Sequence, residues 1–207
     1  MFFEILLYCI VSPCLMISSF LVQIKAQKIV SDLNYIRRPL FDTLHGVDPS
    51  TVWHFNCDLL VVFIGVVSLY YGYHYVPYFA LDYFFINLLR CFSFLMTILP
   101  SPSPSHTIRR THYNNLTLLE CLKDQLLLKH SFTYNNDLLF SGHYSFIFLC
   151  LFNLSYYGLT NLYSLVGLWM IAFGSSLISI ANRKYYTIDV FYAFIVAHYV
   201  FMLTKVN

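Results

Sequence analysis

Charged residues are scarce in this sequence, and their scarcity excludes an ordinary soluble domain. Of its 207 residues, 58% are hydrophobic and 11% are charged, whereas a soluble domain carries roughly 25% charged residues. The formal net charge is only +2 and the chain has no basic run, which argues against a nucleic-acid-binding protein. This composition predicts a polytopic membrane protein.

Cysteine spacing of the metal-binding or redox type is also missing. The six cysteines are scattered along the chain without a C-x-x-C pair, so we expect neither a disulfide framework nor a zinc site. Cysteines inside apolar segments are interpreted here as packing residues. The carboxylates and histidines likewise lack the spacing of metal ligands, and we expect no metal and no other cofactor.

Long apolar runs are what the sequence has instead. One bilayer crossing takes roughly 20 mostly apolar residues, and the first run lacks the basic n-region of a signal peptide, so we interpret it as an uncleaved anchor. The predicted fold class is an all-α membrane protein, a single polytopic domain over residues 1–207 with a bundle of about six transmembrane helices. The predicted spans are residues 2–24, 54–73, 81–99, 143–157, 163–181 and 187–203, with a long loop at 101–141.

The loops divide unequally between the two faces of such a bundle. If the spans alternate, residues 25–51, residues 101–141 and the turn holding Arg183 and Lys184 share one face, which we call the loop face. Ten of the twelve lysines and arginines fall there, with Lys205 opposite, and the positive-inside rule would make this face cytosolic. Basic residues that bind an anionic lipid head group would produce the same bias, so the tally leaves the orientation open.

The stretch NNDLLFSGHYSFIFL, residues 135–149, enters the fourth predicted span from the loop face. Ser141 is placed to cap this helix, and the N–H groups of a helix N-terminus favour an anion such as phosphate. His143 follows within the first turn, and Asp137 lies upstream in the loop. The tripeptide S-G-H is a weak signal by itself, because a histidine at a membrane boundary is also a common interfacial side chain.

A second motif, NRKYYTIDVFYAFIVAHYV at residues 182–200, enters the last span from the same face. Asp189 is predicted about one turn inside the span, where an ionisable residue is a functional candidate because its burial costs free energy. Tyr185 precedes it by four residues and therefore lies on the same side of the helix. The alternative interpretation is a capping or snorkelled carboxylate.

A third motif, LRCFSFLMTILPSPSP at residues 89–104, ends the third span in a Pro-Ser repeat. Arg90 is predicted deep within that span, so it should either snorkel towards the loop face or pair with an acid such as Asp189. Both structural pairing and phosphate binding remain open for this residue.

The order of these motifs resembles the sphingomyelin synthase family, within the type 2 phosphatidic acid phosphatase superfamily. The matching elements are R-C, T-x-L-P-x-P, D-x-x-x-S-G-H and Y-T-I-D-V, and RRPLFDTLH at residues 37–45 resembles the family's loop after the first span. The resemblance implies a six-helix enzyme with a phosphatidic acid phosphatase-like core. It would move phosphocholine, or a related phospho-alcohol, from a glycerophospholipid to ceramide or diacylglycerol.

The resemblance also implies roles for individual residues. His143 matches the histidine that protonates the departing lipid alcohol, and Asp189 matches the acid that orients the nucleophile. Tyr185 stands where the family has its nucleophilic histidine. A phenol titrates near roughly 10, so it needs a base to act as a nucleophile at neutral pH, and Asp189 is the only base that this motif supplies. Histidines elsewhere on the loop face are available as substitutes, namely His45, His106, His112, His130 and the boundary residue His54.

Several outcomes follow from this replacement. In one, the reaction proceeds with Tyr185, or with a histidine from elsewhere in the chain, as the nucleophile. In another, the chain is a catalytically silent relative that binds lipid. A lipid phosphate phosphatase, in which water accepts the phosphoryl group, has the same motifs, and an unrelated channel, transporter or scaffold is a further alternative. The residues that we expect to bind the lipid head group are Asp137, Ser141, Gly142, Arg90, Arg183 and Lys184.

The expected partners are membrane lipids, namely glycerophospholipid, ceramide or diacylglycerol, and no nucleic acid. We expect a multi-pass protein of an endomembrane or the plasma membrane. The resemblance implies a lumenal or extracellular active face, whereas the tally of basic residues favours the cytosol. The sequence predicts no oligomeric state.

Overall fold

The computed structural model describes residues 42–46, 57–72, 75–96, 141–157 and 161–205, and the single residues 14, 17, 18, 21, 117 and 120. Within these ranges the protein is all-helical. The elements are a short 3-10 helix, Thr43–Gly46, and the α-helices α1 (Cys57–Gly72), α2 (Val76–Met96), α3 (Gly142–Tyr157), α4 (Leu162–Ala181) and α5 (Thr187–Lys205).

Four of the five α-helices lie where the apolar runs predicted spans, and α2 differs most from its prediction. It begins at Val76 rather than at residue 81, so most of the turn predicted before it is helical. Pro77 is the second residue of α2, a position whose N–H has no partner inside a helix, so proline does not interrupt it. The first predicted span and the loop at 101–141 lie outside the described residues, apart from the single residues given above and Ser141.

Two helices have the length and composition of membrane spans. In the described part of the chain, α4 with 20 residues and α5 with 19 residues are long and apolar enough to cross a bilayer, and α1 carries a shorter apolar stretch, Leu59–Tyr71. Large apolar side chains such as Met170 and Phe191 lie exposed on these helices, as side chains that face lipid would. These features suggest a membrane protein.

Helix α3 is the centre of the bundle because its side chains are buried on nearly every side. Tyr144, Ile147, Phe148 and Leu151 have no exposed surface, and α3 contacts each of the other four α-helices. A helix that is apolar on all sides buries its side chains when other helices surround it. The first turn of α3 is thereby fixed against its neighbours.

The beginnings of α3 and α5 meet at one end of the bundle, together with the end of α4. The backbone N–H of Ser141 donates to the carbonyl of Asp189 over 3.1 Å, and the Tyr144 hydroxyl lies 2.8 Å from that of Ser179. We call this the site end. Since α5 rises about 1.5 Å per residue, Lys205 lies at the far end, where its ammonium is 3.7 Å from the buried Asp82 carboxylate.

Candidate functional site

A side-chain contact at the site end joins His143 to Tyr185. His143 belongs to the first turn of α3, and Tyr185 lies in the turn between α4 and α5. The phenolic oxygen is 2.9 Å from Nδ1 of the imidazole, so the phenol donates to Nδ1 when the ring carries its proton on Nε2. The Tyr185 ring also meets the buried Tyr144 ring edge-on, with centroids 5.7 Å apart.

Asp189 is fully buried in the first turn of α5. Its Oδ2 accepts a hydrogen bond from the backbone N–H of Tyr186 over 2.8 Å, and its own N–H donates to the Tyr186 carbonyl over 3.1 Å. The first of these contacts is the second half of a capping box, in which an acidic side chain at the third helical position reaches back to the N-cap. The carboxylate therefore fixes the beginning of α5, immediately after Tyr185.

Arg90 of α2 packs directly on Gly142, next to His143. A Cβ added to Gly142 would lie 2.7 Å from Cζ of Arg90 and nearer still to Nη1. Glycine is therefore required at this position for the guanidinium to approach the backbone so closely. The arrangement puts a positive charge beside the N-terminus of α3, where an anion is also favoured by the helix dipole.

Ser141 is the N-cap of α3. Its Oγ accepts from the backbone N–H of Tyr144 over 3.4 Å, and its carbonyl accepts from the Ser145 hydroxyl over 2.7 Å. Both Ser141 and Gly142 are buried, so the start of the helix is covered by protein. Asp137, which the sequence also placed among the binding residues, lies outside the described residues.

Arg183 and Lys184 end α4 in a Schellman motif. Arg183 has a φ of 56°, its N–H donates to the carbonyl of Ile180, and the N–H of Lys184 donates to that of Ser179, as this motif requires. The Arg183 guanidinium donates through Nη2 to the His45 carbonyl over 3.0 Å. Lys184 is exposed. The Arg183 guanidinium is thus committed to a protein contact.

Two further residues lie at the site end: Asp42, which was not assigned a role from the sequence, and His45, which was named only as one of several histidines available as a substitute nucleophile. Asp42 accepts two hydrogen bonds from Thr187, one from its N–H over 2.7 Å and one from its hydroxyl over 2.9 Å. His45 Nε2 lies 2.9 Å from the Tyr185 carbonyl. The only sequence signal was the resemblance of RRPLFDTLH to the family's first loop, which gives no contact across about 140 residues. The other histidines considered as substitutes, at positions 54, 106, 112 and 130, lie outside the described residues.

Hydrogen bonding decides the ionisation of Asp42. Partial burial raises the pKa of its carboxyl, but the hydrogen bonds from Thr187 and Leu44 and the neighbouring His45 together lower the pKa below its ordinary value. Asp42 is therefore a carboxylate at neutral pH.

In the described ranges, no three His, Cys, Asp or Glu side chains gather closely enough to hold a metal ion.

One comparison with known proteins bears on this geometry. Residues 136–206 match the family model described as PAP2 superfamily C-terminal. The match covers α3, α4 and α5, and with them His143, Tyr185 and Asp189. It supports a likeness to the PAP2-like superfamily, and it is consistent with lipid phosphatase or phosphotransferase-like activity. No curated protein matches the sequence.

Proposed function

We propose that this protein transfers a phospho-alcohol head group, phosphocholine or a related group, from a glycerophospholipid to ceramide or diacylglycerol, with Tyr185 as the nucleophile. The observation that carries the proposal is the 2.9 Å contact between the Tyr185 phenolic oxygen and His143 Nδ1. A base within hydrogen-bond reach is what a phenol needs in order to attack at neutral pH. The likeness of residues 136–206 to the PAP2 superfamily supports a lipid phosphate as the substrate class.

In the first step, the phenolic oxygen of Tyr185 attacks phosphorus and the bond from phosphorus to the diacylglycerol oxygen breaks. The phenolic proton passes to Nδ1 of His143, and the imidazolium so formed donates a proton to the departing diacylglycerol oxygen. The products are diacylglycerol and a phosphodiester between Tyr185 and the head-group alcohol. The imidazole is neutral again at the end of this step.

In the second step, the hydroxyl oxygen of the acceptor lipid attacks the phosphorus of this diester. His143 takes the proton of the acceptor hydroxyl and delivers a proton to the Tyr185 oxygen as the bond from phosphorus to that oxygen breaks. A phenol is a better leaving group than an aliphatic alcohol, which favours this step. Water in place of the lipid acceptor would release the free phospho-alcohol, phosphocholine for this donor, and the protein would be a hydrolase.

The negative charge of the transferring phosphoryl group needs compensation, and two features at the site end supply it. The Arg90 guanidinium lies against Gly142, and Gly142 is the first residue of α3, so the positive end of the helix dipole lies at the same place. In many enzymes, positive charge that is already in place where negative charge develops makes the largest contribution to stabilising the transition state. Asp189, through its bond to Tyr186 N–H, holds the backbone next to the nucleophile.

A second function, lipid binding without turnover, is favoured by a specific observation. Tyr185 replaces the histidine of the resembling family, and a phosphotyrosine ester transfers its phosphoryl group less readily than a phosphoimidazole. In that case the same charges would bind a lipid head group and no bond would break. The change Tyr185→His would then create activity that the natural chain lacks.

The test uses the full-length protein in vesicles of phosphatidylcholine, labelled in the choline, with ceramide or diacylglycerol as acceptor. We expect labelled product from the wild type and a loss of at least 100-fold from both Tyr185→Phe and His143→Ala. The matched controls, Tyr192→Phe and His198→Ala, change exposed side chains of α5 and should retain activity. Release of free phosphocholine would indicate a hydrolase. No product from the wild type but product from Tyr185→His would support the silent relative instead.

A further inference from the structure

The segment Asp42–Gly46 contacts the turn that carries Tyr185 but supplies none of the atoms proposed to react. Three of its groups bond to residues 183–187, although roughly 140 positions separate the partners in sequence. Tyr185 lies after the Schellman end of α4 and before the N-cap of α5, so no helical repeat of hydrogen bonds fixes its backbone. His45 and Asp42 bond to the backbone of this stretch, at Tyr185 and Thr187.

Asp42 holds the beginning of α5. Thr187 is the first residue of that helix, and its N–H has no carbonyl partner one turn earlier. Asp42 Oδ2 accepts from it over 2.7 Å, while Oδ1 accepts from the Thr187 hydroxyl over 2.9 Å. The carboxylate is itself oriented by a third bond, from Leu44 N–H over 3.1 Å, and its charge lies at the positive end of the helix dipole.

His45 holds Tyr185 directly. A carbonyl oxygen can only accept, so the 2.9 Å contact between His45 Nε2 and the Tyr185 carbonyl requires the proton on Nε2. The imidazole is buried and lies beside the Tyr186 ring, with centroids 5.2 Å apart. The His45 carbonyl accepts from Arg183. The Tyr185 carbonyl, the Arg183 side chain and the Thr187 N–H are therefore all bound to the segment Asp42–Gly46.

From this geometry we propose that Asp42 and His45 are positioning residues, which fix the Tyr185–Thr187 backbone so that the phenol meets Nδ1 of His143. The purpose of this positioning, which is the reaction at Tyr185, rests on the proposed function. The positioning itself rests on the hydrogen bonds described above. The reaction and the positioning can be tested separately, because the contact between the phenol and His143 has a spectroscopic signature that needs no turnover.

The test records nitrogen NMR spectra of the full-length protein, labelled with ¹⁵N-histidine, in lipid nanodiscs. The His143 resonances are assigned by their loss in His143→Gln, and Tyr185→Phe shows how they move when the phenol contact is absent. We expect Asp42→Ala and His45→Ala to reproduce at least half of that shift. The control His198→Ala removes an exposed histidine that packs on Phe152, and it should leave the His143 resonances unchanged.

Conservative variants separate positioning from general loss of structure. In His45→Gln, the side-chain amide can take the place of Nε2 and donate to the Tyr185 carbonyl, so we expect the wild-type resonances to return. Asp42→Asn keeps one acceptor for the two Thr187 donors and should give part of the shift. If the alanine variants do not fold, His45→Gln and Asp42→Asn test the positioning role instead. Wild-type His143 resonances in Asp42→Asn, or in both folded alanine variants, would overturn the proposal.

Where the wild type turns over lipid, Asp42→Ala should lower kcat by at least tenfold with KM changed by less than threefold. Asp42 bonds to Leu44 and to Thr187, two residues after the nucleophile, so we expect its loss to act on the chemical step through the position of Tyr185. A change in KM alone would contradict the assignment. A wild type without turnover but with the expected NMR shifts would refute the transfer reaction and leave the positioning intact.

Discussion

A phenol at position 185 changes what the neighbouring side chains must do. An imidazole is a nucleophile in its neutral form, whereas a phenol has to lose its proton first. The motif around Tyr185 contains Asp189 as its one candidate base, but in the structure the phenolic oxygen contacts His143 and Asp189 bonds to the Tyr186 backbone. In the proposed reaction a single histidine, His143, therefore has to serve both as the base for Tyr185 and as the acid for the leaving lipid.

Gly142 offers a residue-level test of the Arg90 contact. The change Gly142→Ala would place its Cβ 2.7 Å from Arg90 Cζ, so the guanidinium has to move away from His143. We expect little loss of stability, because the end of the flexible Arg90 side chain can move aside, but a loss of activity or lipid binding, because the positive charge leaves Gly142. Thermal unfolding in detergent and binding of phosphate-bearing lipid measure the two effects.

The matched control is Gly174→Ala in the interior of α4, where a Cβ would meet nothing within 4 Å. Replacing glycine by alanine within a helix should stabilise it by roughly 0.5–1 kcal/mol. Equal activity and equal lipid binding for Gly142→Ala and Gly174→Ala would show that the Arg90 contact has no role.

At the scale of the element, the lengths of apolar runs predicted where most helices lie, because chain length and bilayer thickness are linked by the helical rise. The beginning of α2 was missed because a proline early in a helix is compatible with helix formation. The cap on α5 was missed for a different reason. Asp42 and Thr187 are 145 residues apart, and local patterns contain no information on such a pair.

The cap that Asp42 provides predicts a pH dependence. Since the pKa of Asp42 is lowered in the folded protein, its contribution to stability is fully present above the ordinary carboxyl pKa of roughly 3.9. It is lost as the pH falls from there through the folded pKa. The melting temperature of the wild type should therefore drop as the pH falls below about 4, more steeply than that of Asp42→Asn. Parallel curves for the two proteins would contradict this cap.

At the scale of the whole molecule, the two ends of the bundle carry different polar groups. The site end combines Arg90, His143, Tyr185 and Asp189, and the sequence predicted that the entrances of α3 and α5 share a membrane surface. The far end has a buried pair, Asp82 and Lys205, which motif reasoning did not find because its members lie in separate helices with no recognisable spacing.

The far-end pair should stabilise the bundle without taking part in chemistry. The Lys205 ammonium lies 3.7 Å from the Asp82 carboxylate and 5.2 Å from the Tyr78 ring centroid. Removing one partner of a buried pair leaves an uncompensated charge, which costs about 3–5 kcal/mol. We expect Lys205→Met to lower the melting temperature markedly and the double change Asp82→Leu with Lys205→Met to recover most of it. No recovery in the double variant would contradict this interpretation.

The most direct measurement of the central claim is mass spectrometry of the protein after rapid quenching of the reaction with choline-labelled phosphatidylcholine and no acceptor lipid. We expect a phosphocholine ester on the peptide that contains Tyr185, absent from Tyr185→Phe and discharged when ceramide or diacylglycerol is added. Transfer of the label by Tyr185→Phe at the wild-type rate, or a covalent label on a histidine instead, would show that Tyr185 is not the nucleophile.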